Sequence, residues 1–250
     1  RTENAFPVGS RIAYSSNGMS ALALCIMSLE KELNPEMTET YFNRKGSFLA
    51  RLGSGSDCRS IEGGLVVWGN HKKTESSSDL YGVQYKKPVH EVFYNFQDTI
   101  LLVDKGSKQV SSSVGHNLMH GHPFADERFA QAHNNLNALQ EIFEQGDLNG
   151  FIEVVEREAL TLHAMMMSSK PYFILMKPNT LEIINKIWKF RENTGLPVCF
   201  TLDAGANVHV LYPKESKEKI LEFIKNELVA YCENEQYLCD HVGKGAVKLN

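Results

Sequence analysis

Between the apolar runs Leu196–Phe200 and Val208–Tyr212 the chain reads Thr-Leu-Asp-Ala-Gly-Ala-Asn, residues 201–207. A strand that ends in an acid and then breaks into small residues holds Asp203 on a rigid edge. Ala204, Gly205 and Ala206 leave room there for a large group to approach the backbone. The competing use of such an acid is a β-turn, in which Asp203 bonds the backbone two residues on. Upstream, Arg51-Leu52-Gly53-Ser54-Gly55-Ser56-Asp57-Cys58-Arg59-Ser60 forms a loop rich in oxyanion donors. Ser54 and Ser56 offer hydroxyls between glycines, and Arg59 can fork onto a carboxylate or phosphate. Gly-Ser runs also serve as linkers, but this one is wedged between a helical pattern and a buried strand. A third stretch, Ile12-Ala13-Tyr14-Ser15-Ser16-Asn17-Gly18, is small and polar at the start of a helix. There Ser15 and Ser16, with the free backbone N–H groups, suit a phosphate or act as an ordinary cap.

Other chemistry is weaker. His116, His120 and His122 are the one metal-like cluster in the sequence, and His116 and His120 would share a helical face. No acid of the His-Glu-x-x-His kind accompanies them, and Gly121 and Pro123 interrupt the helix, so no metal site is expected. His163, beside Leu162 and Met165–Met167, reads as a satisfied, half-buried histidine. Gly53-Ser54-Gly55-Ser56 lacks the spacing of a Gly-x-Ser-x-Gly nucleophile elbow. The sequence holds no Gly-x4-Gly-Lys-Ser/Thr loop.

The elements that must position these residues follow from periodicity. Met19, Leu22, Ala23, Cys25, Ile26, Met27 and Leu29 repeat at helical spacing, and a second helix is expected over about Met37–Leu49. Leu65–Trp68 and Val83–Tyr85 pair across the polar loop Asn70–Asp79. The pattern changes after Pro88, which sets an expected domain boundary near Val92, giving residues 1–92 and 93–250. In the second part Thr99–Val103 reads as a buried strand, and Ser111-Ser112-Ser113 as the cap of a short helix. Ala125–Phe143, Leu148–Met167 and Thr180–Arg191 are amphipathic helices. Gly195 and Pro197 stop the last of these. A charged helix over about Lys214–Tyr231 and a final strand near Gly245–Leu249 complete the chain. The Val198–Tyr212 pair is too close for a crossover, so the sheet is antiparallel and the class α+β.

At 250 residues the chain can bury a sizeable core, and its net charge of −4 gives no electrostatic argument for nucleic acid or an anionic membrane as partner. Five scattered cysteines without a Cys-x-x-Cys pair read as reduced thiols of a cytoplasmic protein. No apolar run approaches the roughly 18 residues that a membrane span needs.

Three pieces in this order resemble one family. Phe6-Pro7 with Ile12-Ala13 and Ser15, then Gly53-Ser54-Gly55-Ser56 with Cys58-Arg59-Ser60 and Gly63-Gly64, then Thr201–Gly205 with Asn207 are similar to the diphosphomevalonate decarboxylases of the GHMP kinase superfamily. Leu162-His163-Ala164 and the Lys105 to Ser112 segment fit the same order. The resemblance implies a GHMP kinase-like two-domain fold: a truncated N-terminal domain and a ferredoxin-like C-terminal domain with an antiparallel sheet. Arg1 is not an initiator methionine, and the family is longer at the front, so its N-terminal part is expected to be missing here. The implied activity is ATP-dependent. The tertiary 3-hydroxyl of mevalonate 5-diphosphate is phosphorylated, then phosphate and carbon dioxide leave to give isopentenyl diphosphate. By this resemblance Asp203 orients the hydroxyl and accepts its proton, and Arg59 grips the substrate carboxylate or diphosphate. Ser54 and Ser56 bond the diphosphate, Ser15 and Ser16 lie at the ATP phosphates, and Mg2+ accompanies ATP. The partner is thus a small-molecule substrate, and a homodimer is compatible with the family. Four positions depart from the family pattern: Arg11 for glycine, Tyr14 for serine, Asp57 for a small residue and Glu62 for an aromatic. They keep open a second reading, a divergent member without turnover that acts as a binding or assembly protein. A kinase or decarboxylase of a related mevalonate phosphate is a third.

Overall fold

The computed structural model describes residues 14–105 and 119–247. They divide into two compact units, Arg1–Lys86 with Val242–Asn250, and Lys87–His241.

In the first unit, helix α1 spans Tyr14–Leu33 and α2 spans Glu39–Gly53. Thr38 caps α2 by accepting the Tyr41 N–H at 3.2 Å, where helix ends need such a partner. The apolar periodicity of α1 serves two faces. Ala23 and Met27 are buried, whereas Leu22, Ile26, Leu29 and Leu33 form an exposed stripe that reaches 81% exposure at Leu33. A 3-10 turn over Gly55–Ser60 follows α2 and leads to a small hairpin, β1 (Val66–Trp68) against β2 (Gly82–Gln84). Two buried serines tie the turn down. Ser20 donates to the Asp57 carbonyl at 2.9 Å, and Ser47 donates to the Cys58 carbonyl at 2.7 Å. Ser47 also accepts the Gly82 N–H at 2.9 Å, so one hydroxyl joins α2, the turn and β2.

The expected closing strand near Gly245–Leu249 is absent from the described part of that stretch. Instead Gly245 makes a single antiparallel bridge to Glu62, and Gly64 N–H reaches the Gly243 carbonyl at 3.0 Å. The tail therefore belongs to the first unit, where Gly63 lets it pass. A Cβ on Gly63 would lie 2.2 Å from the Lys244 carbonyl carbon.

The second unit is built on a four-stranded antiparallel sheet. Its strands are β3 (Gln97–Leu101), β4 (Cys199–Leu202), β5 (Val208–Tyr212) and β6 (Tyr237–His241), in the order β4-β5-β3-β6. With helices between β3 and β4 and between β5 and β6, this is the expected ferredoxin-like arrangement. The strand that completes the sheet is Tyr237–His241, which reads as polar and half-exposed in sequence. Helices α3 (Ala125–Gln145), α4 (Leu148–Met167) and α5 (Pro178–Thr194) match the expected amphipathic segments. Gly146 and Gly195 end α3 and α5 at φ 73° and 68°, left-handed positions that favour glycine.

The run Lys214–Tyr231 is helical throughout but not uniform. An α-helix over Lys217–Phe223 passes into a π turn over Ile224–Leu228. Ile220, Phe223, Ile224 and Leu228, spaced i, i+3, i+4 and i+8, all lie in the core. The core beneath the sheet gathers Ile183, Ile187, Val198, Phe200, Val208, Val210 and Tyr212. Each buried side chain of this size contributes about 1.5–3 kcal/mol. A second cluster of Phe93, Phe96, Phe143 and Phe151 locks α3 and α4 to the segment before β3. Among the described residues no helix is long and apolar enough to cross a membrane.

Candidate functional site

Asp203 stands one residue beyond the last β4–β5 pair, Leu202↔Val208. Its side chain is exposed and makes no hydrogen bond or ion pair among the described residues. The backbone beneath it is the opposite, held on every side. The Asp203 carbonyl accepts the Gly205 N–H at 2.7 Å and lies 3.0 Å from His163 Nε2. Thr180, fully buried in the first turn of α5, donates to the Ala206 carbonyl at 2.7 Å. Asn207 accepts the Asp104 N–H at 3.1 Å through its side-chain oxygen. Three elements therefore fix the hairpin, namely α4, α5 and the segment that follows β3. The turn-forming use of Asp203 is not seen, because its carboxylate takes no backbone N–H. Gly205 faces open space: a Cβ there would meet nothing within 4 Å. Of the three small residues expected to leave room beside the acid, Ala206 is instead buried at 4% exposure, with its carbonyl bonded to Thr180.

Next along β5 stands His209, whose Nδ1 lies 2.8 Å from Asp98 Oδ2 on β3. Burial pulls the His209 pKa down. Its hydrogen bond with Asp98 and the charges of Asp98, Asp203 and Asp240 outweigh this and hold it above the ordinary value.

His163 was expected to be half-buried and satisfied. It is buried almost completely, at 1% exposure, and what satisfies it is the carbonyl of Asp203. Burial pushes its pKa below the ordinary value, and the backbone hydrogen bond recovers part of that, so the ring is neutral and Nε2 carries the proton. Neither His163 nor Thr180 was singled out from the sequence as part of the hairpin. Their partners lie far along the chain, and no local pattern signals such bonds.

The first unit carries the Gly-Ser loop. Ser54 is the residue between α2 and the 3-10 turn and is half-buried, and Ser56 and Arg59 are exposed. Arg59 makes no ion pair among the described residues, so its guanidinium is available to an anion. Asp57 is not neutralised by Arg59. Its residue is 0% exposed, and neither carboxylate oxygen has a hydrogen-bond partner among the described residues. Burial raises its pKa above the ordinary carboxylate value, and the nearby Ser54 hydroxyl offsets only part of this. Ser15 and Ser16 fall in the first turn of α1, and their side chains lie outside the described residues. Arg11, His116 and Ser111–Ser113 also lie outside them. His122 spends both ring nitrogens internally: Nδ1 accepts the Phe124 N–H at 3.2 Å, and Nε2 lies 3.2 Å from Ser168 Oγ.

Comparison with known proteins follows this geometry. Residues 1–79 match the diphosphomevalonate decarboxylase-like N-terminal domain, and residues 99–247 match the mevalonate 5-diphosphate decarboxylase C-terminal domain. The diphosphomevalonate decarboxylase of Debaryomyces hansenii is 27% identical over 229 residues, covering 89% of this chain and 56% of its own length. The chain thus spans a little over half the length of such relatives. Among solved structures, MDDEF in complex with MVAPP, AMPPCP and magnesium superposes with a TM-score of 0.78 at 27% identity, covering 96% of this chain and 68% of that one. A structure describing mevalonate diphosphate mediated ATP binding by the mevalonate diphosphate decarboxylase from Enterococcus faecalis gives 0.77 at 26% identity, with 96% and 68% covered. Since the C-terminal model alone matches more than half of the residues, the chain belongs to the mevalonate 5-diphosphate decarboxylase family.

Proposed function

We propose that this protein decarboxylates mevalonate 5-diphosphate to isopentenyl diphosphate, using ATP to phosphorylate the 3-hydroxyl first. The observation that carries the reading is the Asp203 carboxylate, exposed and without an ion-pair partner among the described residues, on a hairpin whose backbone is fixed by His163, Thr180 and Asn207. A tertiary alcohol is a weak nucleophile. A carboxylate held within hydrogen-bond reach orients it and takes its proton as the oxygen attacks the γ-phosphorus. The phosphorylated oxygen then departs from C3 as phosphate while the bond between C2 and the carboxylate carbon C1 breaks, its electron pair forming the C2–C3 double bond and C1 leaving as carbon dioxide.

Arg59 provides the planar fork that binds a carboxylate or phosphate through two hydrogen bonds, and its exposure without a partner fits that task. Ser54 and Ser56 donate hydroxyls to the diphosphate. Ser15 and Ser16, at the start of α1, provide hydroxyls for the ATP phosphates where the helix offers free N–H groups. Magnesium, when bound to the nucleotide, neutralises charge on the transferring phosphate. The relatives named for the same substrate, ATP analogue and metal support this reading.

The test is release of phosphate and carbon dioxide by the full protein with ATP, magnesium and mevalonate 5-diphosphate. Asp203→Asn is expected to lower turnover about 10²–10⁴-fold, as loss of a positioned proton acceptor does. Absence of both products above the level of that variant would overturn the proposal.

A further inference from the structure

The strand ladder ends at Leu202, and a residue just beyond a ladder frays unless something outside the sheet holds it. Asp203 is that residue. Its carbonyl carbon and its Cβ leave the same Cα, so fixing the carbonyl fixes the point and direction from which the side chain carries the carboxylate. The Gly205 N–H bond to that carbonyl is local and moves with the hairpin tip. His163 is not local. It projects from α4, a helix of 20 residues that packs on β4 and adds Ala159 to the core shared with Phe200 and Leu202, and it is itself 1% exposed. Its Nε2 is 3.0 Å from the Asp203 carbonyl oxygen, a normal N–H···O length. No other described side chain bonds the backbone of Asp203. Thr180 performs the matching task one step later, at Ala206.

We infer that His163 is the positioning residue for Asp203: its Nε2–H clamps the Asp203 carbonyl and thereby aims the carboxylate at the substrate hydroxyl. His163 touches neither substrate nor nucleotide in this role, and its ring stays neutral throughout. The inference rests on the proposal that Asp203 is the proton acceptor, and the tests are chosen to fail separately.

Two substitutions bracket it. His163→Leu keeps the buried volume apolar and removes the donor. His163→Gln keeps an N–H donor on a side chain of similar reach. In His163→Leu, kcat is expected to fall about 10–100-fold, while KM for ATP and for mevalonate 5-diphosphate stays within about twofold, because aim and not ground-state binding is lost. His163→Gln should recover most of that loss, which a merely space-filling role would not allow. In an Asp203→Asn background, His163→Leu should cost almost nothing further, as groups acting as one unit are non-additive. An independent readout is amide hydrogen exchange. His163→Leu should speed exchange at residues 204–207 at least tenfold, leave the β4–β5 ladder unchanged, and be reversed by His163→Gln.

Wild-type exchange at 204–207 in His163→Leu would overturn the clamp. So would a His163→Leu kcat within twofold of wild type, or full additivity with Asp203→Asn. If the unsubstituted protein turns over no substrate, the functional proposal fails, and exchange still decides whether the clamp exists. If His163→Leu does not fold, His163→Gln alone decides: it must keep both turnover and the 204–207 protection.

Discussion

At the scale of single residues, one acid in each compact unit stands out, and the two have opposite surroundings. Asp203 is exposed on a braced backbone. Asp57 is buried within the Gly55–Ser60 turn, with no hydrogen-bond partner for either oxygen among the described residues. An unpaired buried polar group costs about 1–3 kcal/mol. Because burial raises its pKa, Asp57 is tolerated while protonated. Its contribution to stability is complete below the ordinary carboxyl pKa and is lost as pH rises through the higher folded value. Asp57→Ala should therefore raise the stability of the first unit at neutral pH by about 1–3 kcal/mol and flatten its pH dependence between acid and neutral solution. Urea unfolding followed by Trp68 fluorescence from pH 4 to pH 8 measures both; a variant with the wild-type pH slope would show that Asp57 is not the source. The sequence marks Asp57 only as a departure from the family's small residue. Its lack of a partner is not legible there, because Arg59, two positions on, is a cation of the right sign and reach but faces solvent.

Between elements, helix α5 is fastened to α4 by one part-buried network centred on Glu156. Glu156 accepts Arg191 through both nitrogens, at 2.7 and 3.1 Å, and the Trp188 indole N–H at 2.9 Å. Arg191 also donates to the Val198 carbonyl at 2.6 Å, where the chain turns into β4. Arg191 keeps part of its surface in water, so losing its partner costs less than in a fully buried pair, and Glu156→Ala should destabilise the second unit by about 1–3 kcal/mol. Its Trp188 fluorescence transition should move to lower urea, and an unchanged midpoint would refute the estimate. Much of this level was legible. The three long helices and the antiparallel pair around Asp203 were read from apolar periodicity and from glycines at helix ends. What escaped was non-local. β6 carries Cys239, Asp240 and His241, and at a sheet edge no alternation of apolar residues announces it. Likewise α1 shows one apolar repeat in sequence but divides it between a buried face and an exposed one, a division that neighbouring elements decide. The bonds from His163 and Thr180 to the hairpin span 40 and 26 positions and leave no local trace.

Across the whole molecule, the protein has one tryptophan in each compact unit, Trp68 in the first and Trp188 in the second, so each unit reports on itself. Gly63→Ala tests the tail. A Cβ would press on the Lys244 carbonyl, which is backbone and cannot swing aside. The Trp68 transition should weaken by about 2 kcal/mol or more, with the Trp188 transition unmoved; a shift in both, or in neither, would contradict the assignment of the tail to the first unit. That same tail bears on the order in which the protein is made. Chains emerge from the ribosome at about 5–20 residues per second, and domains commonly fold in the order of their synthesis. Here every strand of the second unit's sheet has been translated before residues 242–247 exist, so the unit that begins first is the one completed last. A ribosome stalled just after His241 would hold a second unit free to fold once its strands clear the exit tunnel, and a Gly-Ser loop still waiting for the segment that packs on Gly63.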